Sequence, residues 1–521
     1  MSKVHGLMLL ALFVVAPGIG AQETVWKYSG LSNVGSEPPF KTFAEIRRNG
    51  TTVSGHFQIP GATYVIEDAQ ADGERIRGKL VGDDGTSADF DLLVSKEAAR
   101  GQFTLEGQQG SFDLTRTEST AEQVLGPTPQ RQNLTAAQWS KDLDALVKVI
   151  TSEHVAPFHF VSEVAFTRGV DRVRRLIPEL SGPEVAVEFR RLAAMIGDGH
   201  TNVRLFTDRP EFPISLFWFE DGLRITESTA ENRNLLGATV LRIEDMPAME
   251  ALEAMRPFSP ANENEGVFRE VAPALLTRPE VLRRAGIGRG TMTSWTVRDT
   301  SGRTRTVQLQ PQTVADADWI KPQTEAPLWE QRREEQIWTV YWVDQQTLYV
   351  NFRGYENLAR NAERLLGELD RLRPARLVID LRDNGGGDYE KGRRLLIEPI
   401  TQRPWINSRG RLFVMVGRRT FSAAMVNAVD FDAMTEALLV GEPIGEKPNS
   451  YQEVRQFTLP DSGLTVGVST KWYAFVPGDA TNEVRPDFVA PPRWDDWLSP
   501  RDSAVVRVLQ MQPKPESVQA R

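Results

Sequence analysis

The chain has 521 residues and no cysteine. That absence excludes a thiol nucleophile, a disulfide framework, a zinc ribbon and a lipid-modified cysteine, so any metal site would have to be built from histidine and carboxylates alone. Histidine is itself scarce: His5, His56, His154, His159 and His200 are the whole supply, and no His-Glu-x-x-His pair occurs among them. Long apolar runs are confined to the first 21 residues, where Lys3 precedes Leu7 to Ala16 and small residues follow as far as Ala21. This predicts a secretory signal peptide cleaved near Ala21, a periplasmic or secreted protein, and no stable membrane insertion after cleavage. Positive charge is in deficit, 61 Lys and Arg against 70 Asp and Glu for a net of −9, which argues against nucleic acid as a partner. Neither a Gly-x-Ser-x-Gly elbow nor a Gly-Lys-Ser/Thr phosphate loop is found. Gly286-Ile287-Gly288-Arg289-Gly290 follows a helix-like run and precedes a strand-like one, the reverse of a dinucleotide turn. No metal or organic cofactor is expected.

What the sequence does hold is a pair of apolar strands, each ending in a chemically pointed turn. Leu377-Val378-Ile379-Asp380-Leu381 runs into Arg382-Asp383-Asn384-Gly385-Gly386-Gly387, where backbone amides can approach a ligand with no Cβ in the way. Leu412-Phe413-Val414-Met415-Val416 runs into Gly417-Arg418-Arg419-Thr420-Phe421-Ser422-Ala423-Ala424, which puts Ser422 at the start of a helix. Unpaired amide donors and the positive end of a helix dipole there suit a nucleophilic oxygen. A plain helix N-cap is the competing role for Ser422, and an ordinary strand-to-helix loop the competing role for the three glycines. A serine hydroxyl needs a base. His200 stands in Gly197-Asp198-Gly199-His200-Thr201, after an amphipathic helix whose Val185, Phe189, Leu192 and Ile196 keep helical spacing; the glycines would stop the helix and hold the ring on a rigid corner.

Together these residues closely resemble the S41 serine peptidases, the tail-specific and tricorn-core proteases of crotonase-like fold, over roughly residues 142–490. The resemblance implies Ser422 as nucleophile and His200 as a tricorn-type general base. It implies Gly386 and Ala423 as oxyanion donors, with Gly385 the alternative glycine. It also offers Lys447, near where tail-specific members keep the lysine of a Ser-Lys dyad. A lysine serves only if burial lowers its pKa; Glu446 beside it would work the other way, so Ser-His is favoured over Ser-Lys. For the acid that orients the histidine the resemblance suggests Glu483, ahead of Pro486-Asp487, with Asp198 as rival. His154 and His159 are left as loop, packing or substrate-side residues.

The expected architecture is multidomain α+β. After the signal peptide (1–21) comes a β-rich amino-terminal domain (22–118), an antiparallel barrel or sandwich with turn pairs Asn49-Gly50, Asp72-Gly73 and Asp84-Gly85. A polar linker (119–133) leads to a helical subdomain (134–205), opened by a capping box at Thr135 and Gln138 with Trp139, Leu143, Leu146, Val147 and Ile150 on one face. A PDZ-like or β-rich insert (206–324) follows, able to take a peptide as an added strand or merely structural. The crotonase-like α/β catalytic core (325–497) alternates strands and helices; a carboxy-terminal helix and tail (498–521) end the chain. The leading expectation is a peptidase cleaving peptide or protein substrates through an acyl-enzyme. The alternatives are a catalytically silent peptide- or envelope-binding relative, and an esterase or amidase acting at the same serine.

Overall fold

A computed structural model describes residues 24–511, apart from 36–38, 60–61, 83–85, 106, 126–129, 289, 315–316, 322–325, 477 and 479–482. The expected signal peptide, the Asp84-Gly85 turn and most of the tail lie outside the described residues. The chain forms two compact units, residues 1–129 and 130–521.

The first unit is a closed eight-stranded antiparallel barrel: β1 (Thr24–Val34), β2 (Phe40–Asn49), β3 (Thr52–Ile59), β4 (Ala62–Asp72), β5 (Arg75–Gly82), β6 (Ser87–Val94), β7 (Ala98–Leu105) and β8 (Gln108–Arg116). Alternation drives it: in β6, Ala88, Phe90, Leu92 and Val94 are buried while Ser87, Asp89 and Leu93 face out. Pairing of β1 with β8, Tyr28 opposite Arg116, closes the ring and leaves no open edge. Phe57, Phe103 and Phe112 pack inside with centroids 4.4–4.8 Å apart. A barrel, not a sandwich, is therefore the form taken; this small ring is filled by its own side chains.

The second unit opens with helices Ala136–Glu153, Glu163–Leu176 and Gly182–Ile196. The Thr135–Gln138 capping box is formed, and Trp139, Leu143, Leu146 and Ile150 are buried beneath it. An antiparallel sheet follows, in the order Ile214–Phe219, Gly222–Thr229, Thr239–Ile243, Thr293–Arg298 and Thr304–Leu309, with short strands Met246–Pro247 and Trp319–Ile320 at its sides. A helix over Glu265–Leu276, which the sequence reading did not find, lies against the first of these strands.

The core sheet runs Ile337–Trp342, Thr347–Phe352, Arg376–Asp380, Leu412–Val416, Leu438–Gly441, Phe488–Val489, parallel after the first pair. Helices Leu358–Leu372 and Ala423–Met434 bury Leu365, Leu369, Met425 and Phe431 on one face. Helix Ser503–Gln510 buries Ala504, Val505 and Val508 on the other, against Val378, Phe413 and Val440. Parallel strands covered on both faces read as continuous apolar runs, which is why these strands were visible in the sequence. The hairpin Asn449–Thr458 and Thr465–Ala474 leaves the sheet and pairs Gly467 with Asn202, two residues past His200. Among the described residues no helix is long and apolar enough to cross a membrane.

Candidate active site

Three loops at the carboxyl ends of parallel core strands converge, where open α/β sheets place their ligands. The first follows Arg376–Asp380. Its Asn384 is fully buried and works in three directions: Nδ2 donates to Phe352 O (2.9 Å), its carbonyl accepts the Phe421 amide (3.0 Å), and Oδ1 accepts the Gly386 amide (3.0 Å). The glycine turn is thereby latched to the serine turn. Gly386 has φ +112°, and a Cβ there would lie 2.7 Å from Ser422 Cβ and 3.1 Å from the Ala423 nitrogen, so only glycine lets the two turns meet.

The second loop follows Leu412–Val416. Thr420 Oγ1 donates to Leu381 O (2.8 Å) and accepts the Gly417 amide (3.0 Å). Arg418 is buried, bonded to Glu442 through Nε (2.9 Å) and Nη2 (2.8 Å) and to Trp218 O through Nη1 (2.8 Å). Ser422 then takes φ +53°, ψ −126°, directly before helix Ala423–Met434. Such a backbone costs about 1–3 kcal/mol for a residue with a Cβ. Ser422 occupies the N-cap position of that helix, but its side chain makes no capping bond.

The third loop follows Leu438–Gly441 and carries Glu446, which is fully buried. Oε1 accepts from Ser450 Oγ (3.0 Å) and Gln452 Nε2 (2.9 Å), and Oε2 accepts the Ser422 amide. Burial, and after it the charge of Glu263, push the Glu446 carboxyl up to about 8 against those donors.

His200 comes from the helical part. Gly197 ends helix Gly182–Ile196 in the left-handed region at φ +104°. Asp198 Oδ1 then gathers the His200 amide (3.1 Å), the Thr201 amide (2.8 Å) and Ser469 Oγ (2.6 Å). The imidazole lies 4.7 Å from the Phe421 ring, centroid to centroid, and its Nδ1 is 3.6 Å from Glu446 Oε1. Neither ring nitrogen makes a hydrogen bond of good geometry to a side chain, and burial pushes the ring down to about 4 although Asp198 and the nearby Tyr451 backbone pull the other way. It is therefore neutral at ordinary pH, the form a general base requires.

Several expected residues stand elsewhere. The Glu483 carboxylate pairs with Arg485, not with the histidine, and the acid beside His200 is Glu446, which in sequence is simply the neighbour of Lys447. Lys447 Nζ donates to Asn262 Oδ1 (3.3 Å) and its amide to Glu263 Oε1 (2.9 Å). Asp198 gives its second oxygen to His154 Nε2 (3.1 Å), while His154 Nδ1 accepts the Ala156 amide (2.9 Å) and His159 stacks on that ring. The Gly386 amide, expected to face an oxyanion, is engaged by Asn384, whereas the Ala423 amide opens the helix beside Ser422. Among the described residues no group of three or more His, Asp or Glu side chains is placed to hold a metal ion.

No family model and no curated protein matches the sequence. Among solved structures, mature CPAF aligns over 72% of this chain and 96% of its own, at 13% identity and a TM-score of 0.50. The photosystem II D1 C-terminal processing protease aligns over 73% and 99% at 15% identity with a TM-score of 0.34. A Bacteroides fragilis protein described as a candidate S41 protease aligns over 70% and 96% at 11% identity with a TM-score of 0.33. Over the 72% aligned with it, the chain shares the fold of mature CPAF.

Proposed function

We propose that this protein is a serine peptidase that cleaves peptide or protein substrates through an acyl-enzyme on Ser422. His200 Nε2 takes the hydroxyl proton as Ser422 Oγ bonds to the substrate carbonyl carbon. Glu446 accepts Nδ1–H and stabilises the imidazolium. The Ala423 amide and an amide of the Gly385–Gly387 turn bind the carbonyl oxygen as it becomes negative. His200 then returns the proton to the leaving amine as the C–N bond breaks, and water, activated by the same imidazole, releases the acid. Lys447 has no step in this scheme.

The observation that carries the reading is Ser422 itself. It is held at a strained φ at a helix start, free of any capping bond, with Gly386 against its Cβ and a neutral buried histidine alongside Glu446. A serine kept only for structure would not need that backbone. Fluorophosphonate labelling of the wild type beside Ser422→Ala tests it: label on the wild type alone is expected, and equal labelling of both would falsify the assignment. Export with cleavage near Ala21 belongs to the same reading; the amino-terminal sequence of protein recovered from a periplasmic fraction checks it.

A further inference from the structure

Residues 261–266, just ahead of and entering helix Glu265–Leu276, lie between the loop that carries His200 and the loop that carries Glu446. On the histidine side the Ala261 amide donates to Ala194 O (3.0 Å) and the Asn262 amide to Gly197 O (3.1 Å). On the other side Asn264 Nδ2 donates to Ile444 O (2.8 Å). Between them Glu263 binds both loops with one carboxylate. Oε2 accepts the Gly199 amide at 3.0 Å and Oε1 accepts the Lys447 amide at 2.9 Å. These two amides belong to the residue before His200 and the residue after Glu446.

We propose that Glu263 is a positioning residue whose carboxylate sets the separation of His200 from Glu446; this rests on the serine–histidine–glutamate reading above. Burial raises the Glu263 carboxyl to about 7 against its two amide donors and the Lys447 charge, so it is ionised above that pH; hydrogen bonds to an ionised acceptor are roughly twice as strong as neutral ones, and here two of them share one rigid planar group. Moving either loop away breaks one bond and strands an amide. At 3.6 Å the His200–Glu446 contact is just beyond hydrogen-bond reach, and a further displacement of about 1 Å typically costs on the order of 10²-fold in rate. The groups that face Glu263 are Glu446, Lys447, Asp198 and, one residue past Gly199, His200. Its negative charge stands near Glu446 and so opposes ionisation of that carboxyl.

The test uses the full chain and follows fluorophosphonate labelling rates from about pH 5 to 10, with Ser422→Ala as blank and thermal melting measured alongside. Glu263→Gln is isosteric but turns an NH₂ toward an amide donor. It is expected to label about tenfold more slowly or worse, with the rising limb due to Glu446 moved to lower pH because a neighbouring negative charge has gone. Glu263→Asp, one methylene shorter, is expected to be similarly slow with that limb in place. A smaller loss in Glu263→Gln, or a lower melting temperature with an unmoved limb, overturns the proposal. Should Glu263→Gln not fold, the rate of Glu263→Asp decides by the same tenfold mark. A wild type that labels no better than Ser422→Ala would instead show that the serine reading has failed, and this proposal with it.

Discussion

Glu446 offers one carboxylate oxygen to the imidazole of His200, 3.6 Å from Nδ1, while the other accepts the backbone amide of Ser422. One buried acid therefore touches both the base and the nucleophile's main chain.

Glu446 should govern how activity depends on pH. The imidazole, held down to about 4, is neutral throughout the neutral range, so the ionisation that limits the rate is that of Glu446, near about 8. Activity is expected to climb as pH rises through that value, and Glu446→Gln to lose the climb along with on the order of 10²–10⁴ in kcat/KM. A pH profile of ester or peptide turnover for both proteins checks it; a rising limb unchanged in Glu446→Gln would contradict it.

The same carboxyl has a stability signature of opposite slope. A folded-state pKa raised above the unfolded value means that the native state keeps a proton the unfolded chain has released, so stability falls as pH rises from about 4.5 to about 8. Glu446→Gln should remove that loss, on the order of 4 kcal/mol at the alkaline end. Urea midpoints at acid and alkaline pH measure it, and a variant that falls in parallel with the wild type would refute it.

Relieving Ser422 should separate stability from activity. At φ +53° a glycine sits without strain, so Ser422→Gly is expected to be more stable by about 1 kcal/mol. It should also be slower by at least on the order of 10⁴-fold. Denaturant unfolding and fluorophosphonate labelling read the two effects; a less stable Ser422→Gly would show that the backbone stores no strain.

Gly386→Ala should harm both properties. The added methyl would fall 2.7 Å from Ser422 Cβ and 3.0 Å from Phe421 O, at φ +112°. A loss of about 2 kcal/mol and of about 10²–10³ in turnover is expected, measured by melting and by single-turnover rates.

Arg418 ties the serine turn to the insert. Arg418→Met would leave Glu442 buried without its partner and Trp218 O without its donor, at a cost of about 3–5 kcal/mol. Adding Glu442→Leu should recover much of this. A double variant no more stable than Arg418→Met would count against the pairing as the cause.

The serine turn and glycine turn were legible because each follows a fully apolar parallel strand, and such strands announce their ends. The helix leading to His200 was legible from its 3.6-residue period and the glycine that stops it. Glu446 was not. In sequence it is one carboxylate between Gly445 and Lys447, and only the pairing of Val416 with Gly441 brings its loop beside Ser422. Glu483 carried the better local signal and stands paired with Arg485. Glu263 was missed with the helix that follows it, where Pro273 interrupts the run that would have marked Glu265–Leu276. Its caps were there to see: Asn264 accepts the Val267 amide at 3.2 Å.

Local chemistry thus determined which strands, turns and helix ends this chain forms, since propensity, periodicity and glycine's missing Cβ act over a few residues. Choosing among the carboxylates was a matter for tertiary structure. Asp198, Glu263, Glu446 and Glu483 are alike as side chains; for the first three, burial depth and the donors each one meets depend on segments 24 to 271 residues away. A charge is sensitive to everything within several ångströms of it in space, and the order of residues along a chain does not fix that surrounding.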